Sequence, residues 1–319
     1  MPKTIYVVTH PEASHHVERL VGGWYDSDLT ANGRRHARLI GRVLRTRIPS
    51  DVPAELFSSD SLRARRTAEV IGESLGTDVI TDPRLREKSY GIADGRPQSW
   101  LDARFVPPPR SGERLVHDEG IPAAETKAGF AARVFAAMAE YDLPIWMHPA
   151  RTSDMTDYAA EEKSRYEIWW ALGWPYETSV AMVRLVLWGL FDRYPNIKIL
   201  THHLGGMIPY FEERVGAGLS VLGARTAEEN YSEVLSSLKR PHAEYFKMFY
   251  GDTAMFGSSS AFPTGVDYFG ADHVCFSTDA PFAPVAETFE SLKRMELEAD
   301  VQAKIYKQNA ERLMNRSFD

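Results

Sequence analysis

The feature that most constrains the fold of this chain is the alternation of short β-branched segments with longer amphipathic ones. Helical periodicity is clearest over residues 30–47, 62–75, 125–141 and 178–194. Seven apolar runs are predicted to be strands: TIYVVT, ELFSS, DVIT, LPIWM, IKILT, MFYGDT and HVCFST. Because the connections run mostly from strand to helix to strand, the sequence predicts an α/β fold with a mostly parallel sheet.

Composition and charge narrow the classes of partner. The 319 residues are 44% hydrophobic and carry a net charge of -7, which argues against general affinity for nucleic acid or anionic membranes. The amino terminus lacks the apolar core of a signal peptide, and the most apolar helix is interrupted by Arg184. A lone cysteine, Cys275, cannot form an internal disulfide and fits a reducing compartment. We therefore expect a cytoplasmic protein that acts on a small molecule and binds neither nucleic acid nor membrane.

Three polar residues of the first part have the chemistry of phosphoryl transfer. His10 follows the first predicted strand, where side chains of a parallel sheet face a ligand crevice. Arg63 lies in the first turn of a predicted helix, so that its guanidinium and the helix amino end could share a phosphate. Glu87 is the candidate acid. An ordinary strand-end histidine that makes structural hydrogen bonds is the alternative interpretation of His10.

From about Thr4 to Met138 the chain resembles the histidine phosphatase superfamily, which is related to phosphoglycerate mutase. The resemblance implies that His10 is phosphorylated, that Arg63 binds the phosphate and that Glu87 donates the proton. Thr9 and Pro11 stand where the family has arginine and glycine, and no later Ser/Thr-His-Gly segment follows. The motifs that carry the resemblance are THPEA, SDLTANGRRHA, SSDSLRARRTAE, LREKSYG and AAETKAGFAARV.

Three further polar residues end separate predicted strands of the second part: His148, His203 and Asp279. Side chains at the carboxyl ends of parallel strands meet at one edge, which is where (β/α) barrels gather their chemistry. Imidazole and carboxylate ligands suit zinc or a similar divalent ion, with His203 as ligand or as acid/base. His202 is expected on the opposite face of its strand, in a structural role. Asp279 as a turn cap and His203 as a core histidine are the alternative interpretations.

From about Tyr141 to Asn315 the chain resembles the amidohydrolase superfamily, in the branch that contains aminocarboxymuconate-semialdehyde decarboxylase and the resorcylate-type decarboxylases. The resemblance implies a metal held by His148 and Asp279, with zinc expected and manganese as the alternative. It also implies that His203 and Asp279 take part in catalysis. The family's first-strand His-x-His ligand pair is absent from this sequence. The motifs that carry the resemblance are LPIWMHP, FYGDTA, ADHVCFSTDAPF, KIYKQNAERLM and the segment from WPYETSV to YFEERV.

The two resemblances meet between Met138 and Leu143. We therefore expect an incomplete histidine-phosphatase-like α/β segment over residues 1–140, joined to a partial or nearly closed (β/α) barrel over residues 141–319. A complete barrel of this type takes about 250 residues, so apolar edges could remain and favour a homo-oligomer.

Three functions remain open from the sequence. The first is a metal-dependent hydrolase or non-oxidative decarboxylase of amidohydrolase type, acting on a small carboxylated or aromatic substrate. The second is a phosphomonoester hydrolase that works through phosphorylated His10. The third is a hybrid scaffold without complete catalytic machinery.

Overall fold

The computed structural model describes residues 6–107, 116–226, 231, 233–280, 282–283, 285–315 and 317. The chain divides into two compact units that part between Ala137 and Met138. They are called here the N-terminal unit and the C-terminal unit. The domain limits expected from the sequence, 1–140 and 141–319, stay a prediction.

The N-terminal unit is α/β. Its described strands are Leu56–Ser58 (β1) and Val79–Thr81 (β2), which pair in parallel with Leu56 opposite Val79. Single 3₁₀ turns occupy Pro83–Leu85 and Gly91–Ala93. Its helices are Ser14–Glu18 (α1), Ala31–Arg47 (α2), Leu62–Leu75 (α3), Gln98–Asp102 (α4) and Lys127–Glu140 (α5), the last of which extends past the boundary.

The long helices of this unit begin and end where their sequence signals predict. Thr30 caps α2, since its hydroxyl oxygen accepts a hydrogen bond from the Gly33 amide at 3.0 Å. Helix α3 ends at Gly76, which adopts the left-handed conformation with φ of 71°. The helices predicted at 30–47 and 62–75 are confirmed.

The strand predicted at TIYVVT is not confirmed over its described part. Residues 6–9 lie in no strand, and the side chain of Val7 is 90% exposed. A strand forms only when a neighbouring strand accepts its backbone hydrogen bonds, and among the described residues β1 and β2 pair only with each other. Thr4 and Ile5 lie outside the described residues.

The C-terminal unit holds a parallel sheet of four described strands in the order β3-β4-β5-β6. These are Pro144–Met147 (β3), Lys198–Thr201 (β4), Tyr250–Asp252 (β5) and Val274–Cys275 (β6). Its helices are Ile168–Ala171 (α6), Gly173–Leu187 (α7), Leu190–Arg193 (α8), Glu212–Ser220 (α9), His242–Phe246 (α10), Ala261–Phe269 (α11), Val285–Lys293 (α12), Ala299–Ala303 (α13) and Asn309–Leu313 (α14). A π-helical turn spans Lys304–Gln308.

The register of this sheet brings the strand ends together. Met147 lies opposite Thr201, and Asp252 lies opposite Cys275. Because all four strands are parallel, the residues that follow them meet at one edge. The predicted fold class is confirmed: an α/β chain with parallel sheets, of which the C-terminal one has the open arrangement of a partial barrel. Within the described ranges, no helix is both long enough and apolar enough to cross a membrane.

The helix predicted over 178–194 is present as two helices. Gly189 has φ of 74° and separates α7 from α8. Met182 and Val186 of α7 and Leu190 and Phe191 of α8 are buried in the core of the C-terminal unit. Glycine adopts this left-handed conformation without the steric cost it has for other residues, so α7 can end and α8 can begin here.

We predict that Gly33→Ala destabilises the N-terminal unit. A Cβ at this position would lie 1.9 Å from the carbonyl oxygen of Glu12, and backbone cannot move aside as a side-chain tip can. Overpacking of this kind costs about 1–3 kcal/mol. Hydrogen exchange of the α2 amides, followed at rising denaturant concentration, measures the loss of stability.

Gly129→Ala is the matched control, because its Cβ would meet only ordinary contacts at 3.4 Å or more within helix α5. It should leave the free energy of unfolding unchanged or raise it by up to about 1 kcal/mol. Equal exchange protection in the two variants would contradict the prediction.

Candidate functional sites

The three predicted residues of the N-terminal unit lie together. The Arg63 Nε–H donates to Nε2 of His10 at 3.3 Å, and Arg63 Nη2 lies 3.1 Å from a carboxylate oxygen of Glu87. The other Glu87 oxygen accepts from the Gly23 amide at 3.0 Å. An imidazole, a guanidinium and a carboxylate are thus assembled in one place.

Arg63 is the best anchored of the three. Its side chain is 1% exposed and donates to the carbonyl oxygens of Tyr25 at 2.8 Å and Gly23 at 2.7 Å. A buried guanidinium needs such acceptors, because an unpaired buried charge is strongly destabilising. The two carbonyl groups fix the plane of the guanidinium relative to His10.

The tautomer of His10 follows from its contacts. Nδ1 lies 2.8 Å from the carbonyl oxygen of Pro11, which can only accept, so Nδ1 carries the hydrogen. Nε2 is then the unprotonated nitrogen, which agrees with its role as acceptor from Arg63. Burial is the main cause that lowers the pKa of His10, and the charge of Arg63 adds to it. A neutral imidazole with Nε2 free of hydrogen is the form that can act as a nucleophile.

A pocket of roughly 310 Å³ lies over this cluster and is lined by His10, His15, His16 and Glu87, among others. The His15 and His16 rings lie 4.0 Å apart between centroids, and His15 Nδ1 is 2.7 Å from the Ser27 hydroxyl. Burial, with the nearby charges of His16 and Arg63, lowers the pKa of His15 to about 4. His15 is buried and His16 is exposed, and both line the pocket.

In the C-terminal unit, His148 and Asp279 line a second pocket, of roughly 500 Å³, at the carboxyl edge of the sheet. His148 follows β3, is exposed, and Nδ1 lies 2.7 Å from the carbonyl oxygen of Pro149. Asp279 follows β6 in the left-handed conformation with φ of 60°. His203 is buried beside them, its ring centroid 6.5 Å from that of His148. The three predicted residues therefore lie near one another.

His202 is where the sequence prediction fails. It was expected on the opposite face of the strand, yet it lines the pocket, and its ring centroid lies 4.0 Å from that of His203. Strand β4 ends at Thr201, so the alternation of faces along a strand no longer applies to residues 202 and 203. His203 has φ of 53°, which turns the chain so that both imidazoles lie on one side.

Asp252 is a member of this site to which the sequence prediction gave no role. It is fully buried at the end of β5, and one carboxylate oxygen lies 2.6 Å from Nδ1 of His202. That oxygen also lies 3.4 Å from Nε1 of Trp146, whereas the other oxygen accepts from the Ala254 amide at 3.1 Å. The sequence signal that could have pointed to Asp252 is its position as a carboxylate near the end of the predicted strand MFYGDT.

The electrostatics of the two adjacent histidines differ. Burial lowers the pKa of His203 to about 4, and the charge of His202 acts in the same direction. Burial also acts to lower the pKa of His202, but the hydrogen bond and charge of Asp252 and the charge of Asp279 outweigh it, so the pKa of His202 is raised. In the described part of the chain, His202, His203 and Asp279 are the group whose donor atoms, one from each, lie within 4.8 Å of one another.

Two family models match the chain. The histidine phosphatase superfamily (branch 1) matches residues 5–142, and the amidohydrolase family matches residues 102–316. The overlap covers the end of the N-terminal unit and the first residues of the C-terminal unit.

Curated relatives match the first half of the chain. A probable phosphoglycerate mutase from Klebsiella pneumoniae is 35% identical over 150 residues, which are 47% of this chain and 68% of the relative. A probable phosphoglycerate mutase from Serratia proteamaculans is 40% identical over 92 residues, 29% of this chain and 41% of the relative.

Solved structures resemble the chain as follows. The 5-carboxyvanillate decarboxylase LigW from Sphingomonas paucimobilis matches with a TM-score of 0.50 and 28% identity, covering 59% of this chain and 54% of its own. The chain thus spans about half the length of that enzyme. A manganese-bound dihydroxybenzoic acid decarboxylase from Polaromonas matches with a TM-score of 0.52 and 20% identity, covering 92% of this chain and 77% of its own. A putative amidohydrolase from Staphylococcus aureus matches with a TM-score of 0.51 and 22% identity, covering 95% of this chain and 92% of its own. The last two show the fold alone.

We predict that His15 makes the stability of the N-terminal unit depend on pH between about 6.5 and about 4. Its folded pKa lies below its unfolded value, so on acidification the unfolded chain takes up the proton first, and stability falls with falling pH. His15→Gln removes the titrating group and should flatten the dependence of the unfolding free energy on pH in this window.

Denaturant titrations at several pH values measure the slopes. At pH 8 the histidine is neutral in both the folded and the unfolded chain. The difference in unfolding free energy between variant and parent should therefore be constant above about pH 7, which serves as the internal control. Parallel curves for the two proteins from pH 7 down to 4.5 would contradict the prediction.

Proposed function

Because this chain belongs to the amidohydrolase family over residues 102–316 and to the histidine phosphatase superfamily over residues 5–142, we propose that its C-terminal unit catalyses the non-oxidative decarboxylation of a small aromatic carboxylate with a divalent metal ion. Two observations carry the proposal. Nε2 of His202 and Nδ1 of His203 are buried and have no hydrogen-bond partner. Both residues also belong, with Asp279, to the group whose donor atoms lie within 4.8 Å of one another.

These residues fit a divalent ion. Buried polar atoms are nearly always paired, and an unpaired imidazole nitrogen next to a carboxylate is what a ligand set presents before its ion binds. When bound, the ion would withdraw electron density from the oxygens of a carboxylated substrate. Zinc and manganese are both compatible with imidazole and carboxylate donors, and a manganese-bound decarboxylase shares the fold.

The walls of the pocket favour an aromatic substrate. Trp146 is 61% exposed, although it lies on β3, and with Phe276 it lines the pocket beside His148. Flat apolar side chains next to a cationic centre suit a ring that bears a carboxylate. The 5-carboxyvanillate decarboxylase from Sphingomonas paucimobilis, 28% identical over 59% of this chain, supports this class of substrate.

The remaining chemistry is proton transfer. Loss of CO₂ breaks a carbon–carbon bond and leaves the electron pair on the ring carbon, which must then take a proton. We assign this step to the protonated form of His148: Nδ1–H is held by the Pro149 carbonyl group, Nε2–H gives its proton to the ring carbon, and the exposed ring regains a proton from water. His203 is 7% exposed and suits the ion better than the substrate.

We predict metal-dependent release of CO₂ from hydroxylated benzoates. Turnover should disappear after chelation and return with zinc or manganese. His148→Asn should lower the rate by about 10²–10⁴-fold, and Asp279→Asn should abolish it. The matched control is Asp272→Asn, an exposed carboxylate of the same unit that pairs with Lys304.

CO₂ release that is indifferent to chelation would reject the proposal. Metal-dependent cleavage of amides or lactones without CO₂ release would place the chain among the hydrolases of the family. A chain inert towards every substrate, yet cooperative in unfolding, would identify a scaffold.

We propose phosphomonoester hydrolysis as a second activity, in the N-terminal unit. The contact of Nε2 of His10 with Arg63, and of Arg63 with Glu87, favours it. His10 would take the phosphoryl group while Glu87 gives a proton to the leaving oxygen, and Arg63 would spread the charge of the transferred group.

We predict acid-labile phosphate on His10 after incubation with p-nitrophenyl phosphate. His10→Ala should remove both the label and the release of nitrophenol. Glu87→Gln should slow hydrolysis of an alkyl phosphate by about 10²-fold or more, because an alkoxide leaving group needs the proton, and it should slow release of nitrophenol less. His36→Ala, an exposed histidine on α2, is the control. An unchanged rate in His10→Ala would eliminate this activity.

A further inference from the structure

We propose that the divalent ion is bound by the adjacent residues His202 and His203 together with Asp279, in place of the His-x-His pair that the sequence lacks, and that this site prefers zinc to manganese. The inference concerns which residues bind the ion, and it rests on the proposed function only for the role of that ion in catalysis.

The backbone after β4 makes an adjacent pair possible. From His203 to Gly206 four consecutive residues have positive φ, between 50° and 79°. Non-glycine residues rarely adopt this conformation, although histidine does so more readily than most. Gly206 is required there, since a Cβ would lie 2.4 Å from the carbonyl oxygen of Pro175. Strained backbone of this kind clusters at functional sites.

Both histidines offer a donor atom close to Asp279. His202 and His203 are 5% and 7% exposed, and one nitrogen of each is buried without a hydrogen-bond partner. Nε2 of His202 lies 3.5 Å from Asp279, too far for a strong hydrogen bond. Two donors bonded to one zinc ion at about 2.0–2.1 Å lie at most about 4.2 Å apart. The observed limit of 4.8 Å therefore needs only small side-chain rotations.

Asp252 is the positioning residue of this site. Its carboxylate accepts from Nδ1 of His202 at 2.6 Å and so leaves Nε2 as the nitrogen that can bind an ion. A carboxylate behind a ligating imidazole fixes the ring and raises its basicity. Because Asp252 is fully buried and also contacts the Ala254 amide and the Trp146 indole, it cannot easily turn away.

His148 lies beside this site but outside the donor group. Its ring centroid is 4.8 Å from that of His202, its side chain is exposed, and its Nδ1 is taken by the Pro149 carbonyl oxygen. The set with His148 is the one that the family resemblance implies, whereas the donor group found among the described residues contains His202. Burial and unpaired nitrogens favour the set with His202.

The donor atoms determine the preference among ions. Two imidazole nitrogens, one carboxylate oxygen and an open position are the usual donors of a catalytic zinc site. Nitrogen-rich sites bind manganese more weakly than zinc, because manganese stands at the low end of the divalent affinity series.

Titration of the chelator-treated full chain with Zn²⁺, against a competing indicator, tests the proposal without any turnover. We expect one ion per chain, tighter binding of Zn²⁺ than of Mn²⁺, and at least a 100-fold loss of affinity in His202→Asn. The asparagine amide nitrogen can still donate to Asp252 in place of Nδ1. His148→Asn should change the affinity less than threefold.

Asp252→Asn tests the positioning role. Its Zn²⁺ affinity should fall about 10–100-fold, whereas the visible absorption of bound Co²⁺ should keep the band pattern of the parent, because the ligands are the same. His202→Asn should change that pattern. Thermal unfolding of each metal-free variant identifies variants that fail to fold. If His202→Asn fails to fold, His203→Asn gives the same comparison, because His203 is a ligand only in the proposed set; its Co²⁺ spectrum should change.

The outcomes separate this inference from the proposed function. Full affinity in His202→Asn with loss in His148→Asn would overturn the inference, as would tighter Mn²⁺ than Zn²⁺ binding or no binding at all. Zn²⁺ binding that depends on His202 in a protein that releases no CO₂ would support the site and reject the decarboxylase.

Discussion

The left-handed turn that ends β4 is the constraint on which the C-terminal site depends. A strand that continued through residues 202 and 203 would send the two imidazoles to opposite faces of the sheet. Positive φ from His203 onwards places both rings on the pocket side instead. Such backbone is costly for residues other than glycine, so it persists where the surrounding structure enforces it. Asp252 then determines which nitrogen of His202 is free.

In the N-terminal unit a single buried guanidinium has the corresponding role. Arg63 is held by carbonyl groups of the segment around Gly23 and Tyr25, and it contacts both His10 and Glu87. It therefore joins parts of the chain that are far apart in sequence. This explains how His10 keeps its place although no described strand precedes it. Contacts with the Arg63 side chain, rather than backbone hydrogen bonds to a neighbouring strand, position the His10 imidazole.

The sequence predicted those features that follow from local rules. Caps at Thr30 and Gly76 defined helices α2 and α3, and the ends of parallel strands correctly placed His148 and Asp279 at one edge. It failed where non-local structure decides. Residues 6–9 had a strand pattern without a pairing neighbour among the described residues, and the orientation of His202 depended on where β4 stops. Asp252 was missed because a buried carboxylate reveals its role only through its partner, which is 50 residues away.

The four-stranded sheet has a consequence for how such chains arise. Each strand contributes ionisable side chains at or just after its end: His148, the pair His202 and His203, Asp252, and Asp279. The pocket is thus a product of repeated strand-and-helix modules rather than of an enclosed barrel. Gene recombination that exchanges whole modules at a helix-to-strand junction can preserve the side chains at the strand ends while replacing everything upstream, so a new ancestry for half of a polypeptide need not disturb the pocket of the other half.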